Sequence, residues 1–192
     1  MTDWLLCDYG QVLSTAPPPD EWDTLRRLAG GRPDGEFHAS YWQHRLAYDR
    51  ADLEVGAYWE AVIGETPAGP RLRELIEVDT AMWLHPHRPS VEGAVRAGAR
   101  GLRLAIFSNA PLEVAAAIDG LEWLEPFEKR FYSCRLRVVK PEPEAYARVL
   151  AGLGAEPGRV TFLDDRPPNV DAARAAGIRA FLFSDAAQFD EL

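Results

Sequence analysis

The chain has 192 residues, which suits one α/β core with a modest insertion and a substantial buried interior. Its net charge of −9 and lack of any basic run argue against nucleic acid or an anionic membrane as a partner, so any phosphate it binds must be met locally. Cys7 sits inside an apolar run and Cys134 lies far from it, a pattern of two reduced thiols rather than a disulfide framework or a cysteine metal site. With neither a basic, apolar leader nor a run of 18 apolar residues, the expected location is the cytoplasm. Composition sets no preference between a monomer and a homodimer.

Along the chain, Trp4-Leu5-Leu6-Cys7 reads as a short buried strand closed by Asp8. From Ser14 to His87 the pattern changes: it opens on Pro17-Pro18-Pro19, shows no clear strand, and has helical spacing near 21–29, 35–49, 54–63 and 71–83. That stretch, 14–87, reads as an all-helical insertion. From about Arg88 helix and strand alternate: a helix over Ser90–Ala99, a strand over Leu102–Phe107, and helices over Pro111–Ile118 and Pro143–Leu153. A strand over Val160–Leu163, a helix over Val170–Ala176 stopped by Gly177, and a strand over Ile178–Phe183 complete it. The fold class is therefore α/β, a doubly wound parallel sheet built from 1–13 and 88–192.

Chemically matched residues close these strands. Asp8, Ser108 with Asn109, and Asp164 with Asp165 all fall at carboxyl ends, where open α/β sheets hold their ligands, and Lys140 joins them from a loop. The set points to phosphoryl chemistry. Asp8 fits a nucleophile that attacks phosphorus in line. Asp164 and Asp165, with Asp8 and the Gly10 carbonyl, form a hard oxygen set suited to Mg²⁺. Ser108 and Asn109 precede Pro111, so hydroxyl, amides and helix dipole converge on a phosphoryl group, and Lys140 neutralises its oxygens. Asn169 holds a supporting hydrogen bond or positions Lys140. Each residue alone has a plainer reading, as a helix cap or a solvated loop residue; their ordered coincidence favours chemistry.

The stretches Leu6-Cys7-Asp8-Tyr9-Gly10-Gln11-Val12-Leu13, Phe107-Ser108-Asn109, Lys140-Pro141 and Phe162-Leu163-Asp164-Asp165, with Asn169 beyond, resemble the four ordered motifs of haloacid dehalogenase-like hydrolases. The Asp-Tyr-Gly start is similar to sugar-phosphatase-like members. The resemblance implies a Rossmann-like core with a helical cap after the first strand. It also implies a Mg²⁺-dependent phosphatase that acts on a small phosphorylated metabolite, such as a sugar phosphate, through an aspartyl-phosphate. Two alternatives stand beside it: a metal-independent 2-haloacid dehalogenase, whose members lack the acidic pair, and a catalytically degenerate metabolite-binding protein. Phosphonate cleavage through a cap Schiff base is disfavoured because residues 14–87 contain no lysine.

One departure matters. Phosphatases of this family carry a second Asp two residues after the nucleophile as general acid and base, and here Gly10 stands there. Such help is worth about 10²–10⁴ in rate. Tyr9, Gln11 or a cap residue are the candidates to replace it, and a phosphomutase would lack its acid-base group. In the second cap helix Phe37, Tyr41, His44 and Tyr48 recur at helical spacing, with Trp42, Arg45 and Asp49 on an adjoining face. Most of these read as the cap's own core, and the polar His44, Arg45, Tyr48 and Asp49 are expected to face the substrate. His85 and His87 flank Pro86 without partner ligands, as in a hinge-like loop.

Overall fold

A computed structural model describes residues 3–192, so Met1 and Thr2 at the head of the first predicted segment lie outside the described residues. Five strands, β1 (Trp4–Cys7), β2 (Arg103–Ser108), β3 (Phe127–Tyr132), β4 (Val160–Asp164) and β5 (Arg179–Leu182), form one parallel sheet in the order β3-β2-β1-β4-β5. The central strand β1 contains no polar side chain and is wholly buried because helices cover both faces. Leu5, Cys7, Ile106 and Leu163 point to one face and pack with α5 (Arg88–Ala99) and α6 (Leu112–Asp119). Leu6, Ala105, Phe107 and Phe162 point to the other, against α8 (Pro143–Leu153) and α9 (Pro167–Ala175). This is the doubly wound α/β arrangement expected.

Register brings the site together. Cys7 is level with Ile106 of β2 and Leu163 of β4, so the chain leaves all three strands at one height. The Asp8 amide extends the ladder by donating to the Leu163 carbonyl at 2.8 Å. Strand β3 was missed by the sequence reading for a physical reason: Phe127-Glu128-Lys129-Arg130-Phe131-Tyr132 lies at the sheet edge, where half its side chains meet water and charge is tolerated. The short α7 (Ser133–Leu136) follows it directly.

Between β1 and α5 lie α1 (Pro19–Leu28), α2 (Asp34–Asp49), α3 (Val55–Ile63) and α4 (Gly69–Ala81), each within two residues of its predicted span. They enclose a core of their own around Phe37, Tyr41, Tyr58, Trp59 and Leu75. The connections into and out of this layer run side by side, with Ser14 bridged to Pro86. The C-terminal end of α2 is fastened to the α/β core at several points. Tyr48 Oη donates to Glu113 of α6 at 2.7 Å, and Arg50 forms an ion pair with Glu142 ahead of α8. Ser133 Oγ donates to the Asp49 carbonyl at 2.6 Å while accepting from the Ala110 amide at 2.9 Å.

Both cysteines are free and buried. No helix among the described residues is long and apolar enough to cross a membrane.

Ser133 is fully buried and serves two backbone groups, so its loss leaves an amide and a carbonyl without a partner. Ser133→Ala should cost about 1–3 kcal/mol. Denaturant unfolding of the two proteins measures it; an unchanged midpoint would mean that water replaces the hydroxyl at no cost.

Candidate active site

Lys140 is the geometric centre of the site. Its Nζ lies 2.8 Å from Asp8 Oδ1, 2.6 Å from Asp164 Oδ2 and 2.9 Å from the Phe107 carbonyl, so its three donors meet three acceptors. The side chain is buried, which works against its charge, yet Asp164 and Asp8 outweigh burial and hold the ammonium above the ordinary lysine range. Its backbone is fixed by Asn109, whose Nδ2 donates to the Lys140 carbonyl and whose Oδ1 accepts from the Lys140 amide, both at 2.9 Å. The residue that positions Lys140 directly is thus Asn109. Asn169 acts one step away, donating from Nδ2 to Asp164 Oδ1 at 2.9 Å and Oδ2 at 3.1 Å.

These contacts separate the acidic residues by role. Carboxylate oxygens of Asp8, Asp164 and Asp165 lie within 4.8 Å of one another. Asp164, however, is fully buried and already accepts from Lys140 Nζ, from Asn169 Nδ2 at both oxygens and from the Arg166 amide at 2.9 Å. Those bonds occupy the lone pairs of a carboxylate. Asp164, a member of the expected ligand set, thus also holds Lys140. Asp8 uses Oδ1 for the Tyr9 amide at 2.7 Å and for Lys140, and among the described residues nothing bonds its Oδ2. Burial pushes the Asp8 carboxyl up to about 7 against the pull of Lys140, with Asp164 adding to the rise. Asp165 is half-buried and raised as well, by burial first and then by Asp164. Two adjacent carboxylates that favour protonation, with hard oxygens facing one space, fit a divalent cation such as Mg²⁺.

Ser108 ends β2, and its hydroxyl has no contact closer than the Asn109 carbonyl at 3.5 Å, leaving it available to a ligand. Helix α6 starts at Leu112, so Ser108 and Asn109 precede its first turn, and the Ala110 amide is taken by Ser133. The Ala110 amide is therefore spent within the protein, while the Ser108 hydroxyl stays available just ahead of that turn.

Above Asp8 lies a cavity of about 390 Å³ whose far wall comes from the helical layer. Trp42, Arg45, Leu46 and Asp49 line it, one stripe of α2 at i, i+3, i+4 and i+7, together with Trp83. Of the four cap residues expected at the substrate, Arg45 and Asp49 are there, while His44 and Tyr48 do not line the cavity and Tyr48 turns its hydroxyl to Glu113. Trp42 and Leu46, 43% and 47% exposed, take those places. In the sequence reading Trp42 falls on this face with Arg45 and Asp49 by spacing but counts as cap core, and Leu46 is not singled out. Arg45 is buried, donating from Nε to Asp49 Oδ1 at 2.9 Å and from Nη1 to both oxygens of Asp79 at 3.2 Å. Asp79 of α4, which also accepts from Tyr41 Oη at 2.6 Å, escaped the sequence reading because it resembles an ordinary helix-surface acid.

Two stand-ins for the missing acid are removed. Tyr9 Oη donates to the Trp83 carbonyl at 2.9 Å, and burial raises its pKa further, so it braces the helical layer instead. Gln11 lines the cavity but carries an amide, which does not titrate. The backbone does not demand glycine at position 10, since φ is not left-handed and a Cβ would meet only Trp83 Cζ3 at 3.9 Å. His85 pairs with Glu21 and His87 with Ser90, neither in an acidic cluster that would hold a metal.

A family model for haloacid dehalogenase-like hydrolases matches residues 21–177. The chain belongs to that family. It is a hydrolase. Over 177 residues it is 28% identical to Phosphatase MT3486 of Mycobacterium tuberculosis, covering 86% of this chain and 80% of that protein. With bifunctional epoxide hydrolase 2 of Rattus norvegicus it shares 33% identity over 106 residues, 53% of this chain but only 19% of that longer protein. Among solved structures, the wild-type family enzyme bt-2542 of Bacteroides thetaiotaomicron, in complex with magnesium and inorganic phosphate, aligns with a TM-score of 0.75 at 16% identity over 95% of this chain and 94% of that one. The L-2-haloacid dehalogenase of Xanthobacter autotrophicus with chloropropionic acid covalently bound aligns with a TM-score of 0.71 at 18% identity, covering 94% and 76%. At such identities the likeness is one of fold.

Lys140→Met would leave two buried carboxylates facing each other. Unfolding stability at neutral pH should fall by about 3–5 kcal/mol, far more than for a surface lysine. A loss below about 1 kcal/mol by denaturant titration would show that Asp8 and Asp164 are not balanced through this ammonium.

Proposed function

We propose that this hydrolase is a Mg²⁺-dependent phosphomonoesterase that transfers the phosphoryl group of a small metabolite to Asp8 and then to water. The observation that carries the reading is the second open carboxylate, Asp165, beside the unpartnered Oδ2 of Asp8. A divalent cation bound by Asp8, Asp165 and the Gly10 carbonyl would screen the phosphoryl oxygens and offset both carboxylates. Lys140 orients the Asp8 carboxylate by holding Oδ1. Ser108 supplies a hydroxyl at the end of β2 for a phosphoryl oxygen. Water then attacks phosphorus, releasing phosphate and restoring the Asp8 carboxylate.

A metal-independent dehalogenase would use the same Asp8 on a carboxylate substrate. Asp165, half-buried and without a protein cation of its own, would repel both that substrate and the nucleophile, so this reading is the weaker one. The cavity volume sets the scale of a small metabolite, and Trp42, Leu46 and Trp83 offer apolar faces to its carbon body, a sugar ring among the candidates.

Asp8→Asn should abolish phosphate release while leaving unfolding stability nearly unchanged, and retained turnover would sink the assignment. Chelation should stop the wild-type enzyme, and Asp165→Asn should raise the Mg²⁺ concentration for half-maximal rate more than it raises KM. Full activity in chelator would favour the dehalogenase; no turnover of any phosphate ester with Mg²⁺ would favour a binding protein.

A further inference from the structure

The space beside Gly10 leaves open where the leaving group obtains its proton. Among the residues lining the cavity, the carboxyl groups are Asp8, Asp165 and Asp49, and the first two face the proposed cation. Asp49 comes from the opposite wall, where the leaving group lies. Its Oδ1 accepts from Arg45 Nε, and among the described residues no protein group bonds its Oδ2. Although it belongs to the helical layer, Asp49 is held to the catalytic loops themselves. Its carbonyl takes the Ser133 hydroxyl that also caps Ala110, next to Ser108 and Asn109, and the following Arg50 pairs with Glu142, two residues past Lys140. Held at its own carbonyl and followed by an ion-paired residue, the Asp49 side chain starts from a fixed position on the cavity wall.

We infer that Asp49 is the general acid and base of this enzyme, performing from the cap the proton transfer that Gly10 cannot. The inference rests on the phosphomonoesterase reading above. In the first step the Asp8 oxygen bonds to phosphorus, the bond from phosphorus to the leaving oxygen breaks, and that oxygen takes the proton of the Asp49 carboxyl, departing as an alcohol. In the second, the Asp49 carboxylate takes a proton from water as the water oxygen bonds to phosphorus. Phosphate leaves, Asp8 is restored and Asp49 is again protonated. The charged and titratable groups around Asp49 are Arg45 on its own helix, Tyr58 of α3, Asp79 of α4, Arg166 after β4 and Cys134 of α7. Burial raises its carboxyl to about 6 against the pull of Arg45, within reach of both protonation states near neutrality.

The test is Asp49→Asn, which keeps an acceptor for Arg45 Nε. Its readout is kcat/KM with Mg²⁺ on an alkyl phosphate, whose alkoxide needs a proton, against 4-nitrophenyl phosphate, whose phenolate does not. The alkyl ester should lose about 10²-fold or more and the nitrophenyl ester less than about fivefold, and turnover of the latter confirms a folded protein. In the wild type the alkyl rate should fall as pH rises past the Asp49 pKa, because the acid must be protonated, and that limb should vanish in the variant. Equal losses on both esters, or an unchanged alkyl rate, would overturn the inference while leaving the parent reading intact. Failure of the wild type to release phosphate from either ester would overturn both.

Discussion

A single buried ammonium organises the reaction centre. Lys140 joins β1 through Asp8, β4 through Asp164 and β2 through the Phe107 carbonyl, so three parallel strands meet at one cation. In a low-dielectric interior such a charge is tolerated only when every donor is used and opposite charge is adjacent, and both conditions hold. The consequence runs outward. Asp164 restrains Lys140, Asn169 and the Arg166 amide restrain Asp164, and Asn109 restrains the Lys140 backbone. Asp8 thereby keeps one defined oxygen free.

Burial does most of the electrostatic work. Asp8 and Asp165 both sit above the ordinary carboxylate range although a lysine is near, because one ammonium shared with Asp164 does not balance them. At the opposite wall the balance is reversed: Arg45 is surrounded by Asp49, Asp79 and aromatic rings, with its guanidinium 5.1 Å from the Tyr41 centroid and 5.6 Å from that of Trp83. The cap therefore carries little net attraction for a second anionic group on the substrate.

What the sequence revealed tracks how local its cause is. Strand-end residues such as Asp8, Ser108 and Asp164 were legible because a buried parallel strand leaves a short apolar run, and a polar residue that ends it is conspicuous. The helices of the insertion were legible from their spacing. Strand β3 was not, since its pairing partner lies across the sheet and its own residues look like a charged loop. Nor did the sequence distinguish Asp164 from Asp165, because adjacent acids differ only in which way the chain turns after β4. The stripe Trp42, Arg45, Leu46 and Asp49 was half seen: polar members were chosen on chemistry, and two of those chosen, His44 and Tyr48, sit on other faces of the same helix.

The stripe also divides into positions of unlike cost. Asp49 and Arg45 are buried in a shared ion network, where exchange for an apolar residue leaves a buried charge without its partner. Trp42 and Leu46, on the same face, are nearly half exposed, and Trp42 lies edge-on to Tyr41 and Trp83. The cavity thus has a rigid floor of buried ions and a rim whose shape is set by two partly exposed apolar side chains.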